Sequence, residues 1–232
     1  AKGSLYAKAC LGYCYCLGKG VSEDKEKGLS LIRTSANAGN AKGQNIMGLC
    51  YANGLGVVKS YETAIGYFHK SAEQGNARAQ CNLGNCYEDG LGVAQCYEEA
   101  VKWFRKSANQ GNARAQFCLG NCYFGGGGVE SSMEECAKWH CKAANQGYVD
   151  AQYLMGIYYE SGLGVAKNYE EAVKWYRKAA EQGNPVAQNS LAYCYEKGKG
   201  ITKNIDEAIT WYRKAANQGD NSAEKSLLRL TK

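Results

Sequence analysis

Proline is almost absent from this sequence, which holds a single one, Pro185, in 232 residues. Long apolar runs are absent too, and none approaches the roughly 18–20 residues that cross a bilayer. No charged segment followed by an apolar one opens the chain, so we expect no secretory signal in the residues given, although a chain starting in mid-pattern leaves room for a removed segment. Acids and bases are interspersed to a net charge of +6, without the basic run typical of a nucleic-acid arm.

Glycine, in contrast, is abundant, and most of its 29 residues recur at fixed places. Written in rows of 36, the chain aligns with no insertion. The segment 83–93 returns at 11–21, 47–57, 119–129 and 155–165, and more loosely at 191–201. A second block, 97–111, returns at 169–183 and 205–219. This self-similarity predicts a repeat architecture.

Each block has the pattern of a helix. In the second block the apolar residues Ala100, Val101, Trp103, Phe104 and Ala108 follow a period of 3.6. The glycine of each Gln-Gly pair stands where a helix ends in a left-handed residue. Asn or Asp at positions 40, 76, 112, 184 and 220 is placed to N-cap the next helix, and Pro185 falls at a first-turn position.

The Gly-x-Gly segment between the two helices has two interpretations. Glycines in that spacing let backbone amides approach a phosphate in nucleotide-binding loops. Here the spacing occurs in every repeat, whereas a phosphate loop is needed once, so turn geometry is favoured.

Helix pairs that cannot bury both faces alone stack on their neighbours. We therefore predict an all-α solenoid of six helix–turn–helix repeats at about 5–40, 41–76, 77–112, 113–148, 149–184 and 185–220. A capping helix is predicted over 221–232, where the polar Glu224, Lys225 and Arg229 stand at the docking positions of a further repeat.

The columns Ala-x-x-Leu-Gly-x-x-Tyr-x-x-Gly-x-Gly-Val and Ala-x-x-Trp-x-x-Lys-Ala-Ala-x-Gln-Gly resemble Sel1-like repeats, relatives of the tetratricopeptide repeat, over essentially the whole chain. The aromatic column holds Trp103, Trp139, Trp175 and Trp211. The resemblance implies a right-handed α-solenoid that mediates protein–protein contacts, and it implies no catalytic residue, cofactor or small-molecule substrate.

A cysteine-rich branch of this family joins successive repeats by disulfides, but alanine and glutamine fill those columns here, as at Ala72 and Gln80. Five of the twelve cysteines share a different column, and members one repeat apart are about 10 Å from each other, too far for a disulfide. We interpret them as small core side chains: Cys14, Cys50, Cys86, Cys122 and Cys194. Irregular disulfides stay open as an alternative. Unpaired thiols favour a cytoplasmic location, and a secreted or host-directed protein is the alternative if a signal was removed.

One cluster invites a metal interpretation. Cys136, His140 and Cys141 share a helix face, but zinc normally takes a fourth ligand, so a repacked core is favoured and no metal site is predicted. Neither His69 nor His140 has a catalytic partner placed by a recognisable motif.

In helix-pair solenoids the first helix of each repeat lines the concave face, and its outward positions here carry aromatic groups. We predict that a protein or peptide partner binds this face in repeats three to six, through Arg78, Asn85, Glu88, Arg114, Phe117, Asn121, Phe124, Tyr153, Ile157, Asn189 and Tyr193. The two arginines would form a cationic flank and the amides of Asn85 and Asn121 would hold the peptide backbone. A solvated face with incidental aromatics is the alternative.

A non-catalytic interaction scaffold is thus the leading function. An RNA-binding helical repeat is a second candidate, disfavoured because acidic residues are mixed with the basic ones at the outward positions. A regulatory repeat module of a larger enzyme is the third.

Overall fold

This computed structural model describes residues 2–231. Within them the chain forms thirteen helices and no strand. The A helices open the repeats and comprise α1 (Lys2–Leu17), α3 (Ala41–Asn53), α5 (Ala77–Asp89), α7 (Ala113–Gly125), α9 (Val149–Ser161), α11 (Pro185–Lys197) and the additional α13 (Asn221–Leu230). The B helices close them and comprise α2 (Lys25–Asn37), α4 (Tyr61–Glu73), α6 (Tyr97–Asn109), α8 (Met133–Asn145), α10 (Tyr169–Glu181) and α12 (Ile205–Ala216). The predicted all-α solenoid of six helix pairs is confirmed.

Local signals set the helix ends as predicted. The Asn76 side chain accepts the Ala79 N–H at 3.0 Å, and the same N-cap bond forms at Asn40, Asn112, Asn184 and Asp220. Tyr148 occupies this place in the fifth repeat and makes no side-chain cap bond. Pro185 is the first residue of α11. The backbone N–H at this position has no partner within a helix, so the proline removes no helical hydrogen bond.

The Gly-x-Gly segment forms the A-to-B turn. Gly90 ends α5 in the left-handed region with φ of 68°, and its N–H bonds to the Cys86 carbonyl. A Cβ on Gly92 would lie 2.5 Å from the Tyr61 backbone, so both glycines are required by geometry.

Close helix packing directs one face of each A helix inward. A Cβ at Gly84 would lie 2.5 Å from the Phe104 ring, so α5 approaches α6 more closely than any larger residue allows. Leu83 and Ala79 are fully buried beside it. The residues between these positions are thereby left on the opposite face of the A helix.

A glutamine network ties each repeat together. Gln110 donates to Gln80 at 2.7 Å, and Gln80 in turn donates to the Ala72 carbonyl of the preceding repeat at 3.1 Å. The first of these bonds recurs in the other repeats with this pair, and its further members are Gln74–Gln44, Gln146–Gln116, Gln182–Gln152 and Gln218–Gln188. The columns that carry disulfides in the cysteine-rich branch thus carry amide hydrogen bonds here.

The helices group into two compact units. The first extends to Ala115 and includes Gly127–Val129, and the second holds Gln116–Gly126 and the chain from Glu130. At the end of the second unit α13 buries Ala223, and Arg229 bonds to the buried Glu196 at 2.8 Å. Within residues 2–231, none of the helices is sufficiently long and apolar to cross a membrane.

Candidate partner-binding site

The A helices of the first unit form an open groove of about 720 Å³. Its lining comes from α1, α3, α5 and the start of α7, and comprises Cys10, Tyr13, Cys14, Lys42, Asn45, Ile46, Leu49, Arg78, Cys81, Asn82, Asn112, Ala113 and Arg114. At this groove the α3 and α5 helices touch, because Asn82 donates to the buried Asn45 at 3.0 Å. We call it the first-unit groove.

The charge of the first-unit groove has one sign. Lys42, Arg78 and Arg114 line it, and none of its described lining residues is acidic. Burial, with the charge of Arg78 adding to it, lowers the pKa of Lys42. The described lining of the groove therefore carries positive charge alone.

Four of the sequence-predicted residues lie in the first unit. Arg78 and Arg114 are exposed and line the groove, whereas the half-buried Asn85 and Glu88 do not. Burial and the neighbouring Asp89 raise the pKa of Glu88, and the charge of Arg114 opposes that rise. Lys42 was missing from the prediction although it shares the column of Arg78 and Arg114, and that column is the signal that would have found it.

The other predicted residues lie in the second unit, and their exposure differs. Phe124 is 60% and Tyr193 40% exposed, and Asn121 is exposed as well. Tyr153 and Ile157 are half-buried against the core of this unit, so the solvent-facing position expected for them is corrected.

Phe117 differs from expectation in the same way. Its ring centroid lies 5.0 Å from that of His140 and 4.9 Å from that of Tyr148, and the side chain is half-buried. The extra aromatic surface expected for binding is therefore used here in packing.

Asn189 and Tyr193 line a polar pocket of about 240 Å³ in the second unit. Glu160, Ser190, Tyr212, Ser222 and Ser226 complete its lining. The Glu160 carboxylate already accepts the Tyr176 hydroxyl at 2.6 Å and lies 3.6 Å from the Lys199 ammonium. Its charge is thus largely engaged within the unit.

The cysteine and histidine of the considered metal cluster belong to a buried hydrogen-bonded group. His140 donates through Nε2 to the Phe117 carbonyl at 3.1 Å, which leaves Nδ1 to accept the Tyr158 hydroxyl at 2.9 Å. The Cys136 thiol lies 3.4 Å from the same hydroxyl. Burial lowers the pKa of His140 to about 4, so the ring is neutral near pH 7. Within the described residues no set of three potential metal ligands converges.

The column cysteines lie where the sequence placed them. Cys50, Cys86, Cys122 and Cys194 are buried and Cys14 is half-buried. Burial raises the pKa of Cys50 to about 12 and that of Cys86 to about 11, so these thiols are not nucleophiles at neutral pH.

On the B helices, each tryptophan is covered by a lysine one turn later. The Nζ atoms of Lys106, Lys142, Lys178 and Lys214 lie 4.1, 3.8, 3.9 and 3.8 Å from the ring centroids of Trp103, Trp139, Trp175 and Trp211. These lysines are thus engaged in cation–π contacts with their own helix.

Stacked helix pairs with glycine-fixed turns define a helical-repeat protein. The family model described as Sel1 repeat matches residues 6–40, 41–76, 77–112, 113–148, 149–184 and 185–220, and the chain belongs to the Sel1 repeat family. Proteins built from this repeat are generally protein-interaction scaffolds.

Solved structures give the same result. The chain is 36% identical to c5321, a protective antigen present in uropathogenic Escherichia coli strains, with a TM-score of 0.90 over 97% of this chain and 48% of that one. It is 34% identical to a Sel1 repeat protein from Oxalobacter formigenes, with a TM-score of 0.89 over 98% of this chain and 66% of that one. The chain thus spans 48% and 66% of the lengths of these relatives.

A more distant likeness extends to the immunity protein Pa5087 of Pseudomonas aeruginosa. That protein is 21% identical, with a TM-score of 0.51 over 82% of this chain and 73% of that one, and the likeness shows the fold alone. The comparison with curated proteins found no match.

Proposed function

We propose that the chain is a non-catalytic interaction scaffold that holds a segment of a partner protein on its A-helix face, with the first-unit groove as the binding site. The observation that carries this proposal is that the charged side chains of the groove are all positive. Lys42, Arg78 and Arg114 line it, and none of the other described lining residues is acidic. The electrostatic repulsion among like charges on one face decreases when an anionic partner binds there.

Further support comes from the second unit. Asn121, Phe124 and Tyr193 are exposed, and exposed aromatic groups are enriched at protein interfaces. We include them as additional contacts of the scaffold. Membership of a family of interaction scaffolds supports the same class of function.

The test is a selection of random peptides displayed on phage. The bait is the wild-type chain, and the comparison is the triple variant Lys42→Ala, Arg78→Ala, Arg114→Ala. We expect peptides whose affinity for the triple variant is at least about tenfold weaker, because three charge-assisted contacts are lost.

A matched control removes the same charge elsewhere in the first unit. Arg33, Lys70 and Lys106 are exposed on B helices and do not line the groove, so their triple alanine variant should retain the selected peptides. Equal loss in both variants would indicate only net-charge attraction. Binding of single-stranded RNA in preference to every peptide would favour the nucleic-acid alternative.

A further inference from the structure

Two cysteines lie side by side in the core of the first unit. Cys16 is in the last turn of α1 and Cys50 in the last turn of α3, and their side chains are 2% and 0% exposed. Both belong to one buried cluster, and their thiols form a hydrogen bond with each other. The helices α1 and α3 also pack directly against each other. The fold therefore brings two thiols from successive repeats into contact.

Cys16 and its neighbour Gly28 both depart from the repeat pattern. Position 16 belongs to a column that otherwise holds an alanine, a phenylalanine and three glutamates, and position 28 to a column that holds alanine in four repeats. A Cβ at Gly28 would lie 2.5 Å from the Cys16 sulfur. The absence of a side chain at position 28 therefore leaves room for the sulfur that contacts Cys50.

The same two columns meet again in the second unit. Glu160 holds the position of Cys16 in the fifth repeat, and Cys194 holds that of Cys50 in the sixth. Burial raises the pKa of Cys194, and the charge of Glu160 adds to the rise. The repeat thus places these columns close to each other, and in repeats one and two both of them carry a thiol.

We propose that Cys16 and Cys50 form a modification site, at which a low-molecular-weight disulfide such as oxidised glutathione introduces a disulfide bond between α1 and α3. The bond would join two A helices, and it would not use the columns that carry disulfides in the cysteine-rich branch of the family. This inference is independent of the proposed function, since neither residue is among the three cations of the first-unit groove.

The reaction is thiol–disulfide exchange in two steps. The Cys16 thiolate attacks one sulfur of oxidised glutathione, whose S–S bond breaks, and one glutathione leaves as a thiolate. The Cys50 thiolate then attacks the Cys16 sulfur of the mixed disulfide and expels the second glutathione. Two cysteine thiols are oxidised, one glutathione disulfide is reduced to two thiols, and the two cysteine protons pass through solvent to the glutathiones.

Burial controls the rate of this reaction. It raises the pKa of both thiols, to about 12 for Cys50, and it keeps the oxidant away from them. Exchange therefore takes place when the end of α1 separates locally from α3. The hydrogen bond with Cys50 and the charge of Lys25 oppose the rise in the pKa of Cys16, so Cys16 is the first nucleophile.

The test equilibrates the chain with buffers of reduced and oxidised glutathione. The chain is also refolded from urea in the same buffers, so that burial does not limit the rate. Remaining thiols are alkylated, and tryptic peptides are analysed by mass spectrometry. We expect a disulfide between the peptides 9–19 and 43–59, in which Cys10 and Cys14 are alkylated and Cys16 is not.

Two serine variants provide a matched pair. Cys14 lies on the same helix two residues before Cys16 and is half-buried, so Cys14→Ser should keep the disulfide. Cys16→Ser should abolish it. Oxidation should also slow amide hydrogen exchange in α1 to α3 at least about tenfold, because the bond restricts the opened state, and it should have no such effect in Cys16→Ser.

Three outcomes would overturn the proposal. The first is a disulfide from Cys50 to Cys10 or Cys14 in place of Cys16. The second is a chain that carries glutathione on its cysteines but no disulfide of its own. The third is a Cys16 thiol that stays reduced after both equilibration and refolding in the most oxidising buffer.

Discussion

Three residues that break the repeat pattern lie together in the core of the second unit. Cys136 stands in a column that otherwise holds Gly28 and four alanines. His140 stands in a column that holds Ile32, Phe68, Phe104 and two tyrosines, and Tyr158 stands in the cysteine column. The structure joins them through the Tyr158 hydroxyl, which lies 2.9 Å from His140 Nδ1 and 3.4 Å from Cys136 Sγ. Each exception is thus satisfied by the other two, and the polar histidine is retained in an apolar core.

This group predicts a pH-dependent stability. Because the pKa of His140 falls from 6.5 to about 4 on folding, the unfolded chain binds the proton more readily between these values. The free energy of unfolding should therefore decrease by about 3 kcal/mol as the pH falls from 6.5 to 4 through this residue. The variant His140→Phe, the residue of repeats two and three, should lack this part of the decrease in urea unfolding.

The control for this prediction keeps the histidine. Tyr158→Phe removes a hydrogen bond at every pH and should preserve the acid-dependent decrease. The interpretation would be wrong if His140→Phe and the wild type lost the same free energy of unfolding between pH 6.5 and 4.

At the scale of single residues, the sequence predicts those structural features that depend on residues close by in the chain. The N-cap at Asn76 reaches three residues forward and the fixed φ of Pro185 acts on its own position, so both follow from the local pattern. The burial of Phe117 depends on His140 and Tyr148, residues 23 and 31 positions away, and the prediction of an outward-facing side chain failed for that reason.

At the scale of helices, hydrogen bonds of glutamine amides fix the positions of neighbouring helices, which apolar packing alone would allow to shift along one another. Gln80 is 5% exposed at the start of α5, where it accepts from Gln110 at the end of α6 and donates to Ala72 at the end of α4. One side chain therefore fixes three helix ends. Because both partners of each bond are uncharged, salt and pH have little effect on this link.

The network predicts unequal effects of two similar substitutions. Gln80→Ala removes two hydrogen bonds and leaves a cavity at a buried site, so it should lower the free energy of unfolding by about 1–2 kcal/mol. Gln110→Ala removes one bond at an exposed side chain, where water substitutes, and should lower it by less than about 1 kcal/mol. Urea unfolding of the two variants measures the difference, and equal effects would show that the two glutamines are equivalent.

Helix bounds were predictable for a related reason. Every A helix from the second repeat to the fifth ends near a glycine that the repeat makes visible, as at Gly90. An N-cap asparagine marks the start of α3, α5 and α7. The bonds of Gln80 were not predicted, because the pattern shows only that a polar residue recurs at a buried position, and not which groups satisfy it.

At the scale of the molecule, stability in stacked repeats is the sum of units that contact their neighbours. Leu191 of α11 is fully buried in the core formed with α10, α12 and α13. Leu191→Ala should lower stability by about 2–5 kcal/mol. We expect faster amide hydrogen exchange in α10 to α13 and little change in α1 to α4, measured by mass spectrometry.

If hydrogen exchange were accelerated to the same extent in all thirteen helices, the chain would unfold as one cooperative unit, and the prediction would be wrong. The corresponding variant in the first unit, Leu83→Ala, serves as a matched control, since it removes the same fully buried side chain and should reverse the pattern.

The A-helix face illustrates why a sequence predicts the location of a surface better than the extent of a groove on it. The repeat assigns Arg78 and Arg114 to outward positions, and both line the first-unit groove. The extent of the groove depends on how neighbouring A helices converge, which no single column records. Lys42 and Asn45 of the second repeat also stand at outward positions of the pattern, and they were left out because the aromatic residues of repeats three to six directed the prediction there.

The glutamine pair that joins α6 to α5, and its equivalents, has a consequence for the surroundings in which the protein can work. A disulfide forms only where an oxidant is supplied and opens where thiols are abundant, whereas an amide bonded to an amide neither gains nor loses electrons. Linkage of one repeat to the next through Gln80 is complete when the backbone has folded, without an enzyme to exchange incorrect pairings. The link that these amides make between repeats therefore does not depend on the thiol–disulfide balance of the surroundings.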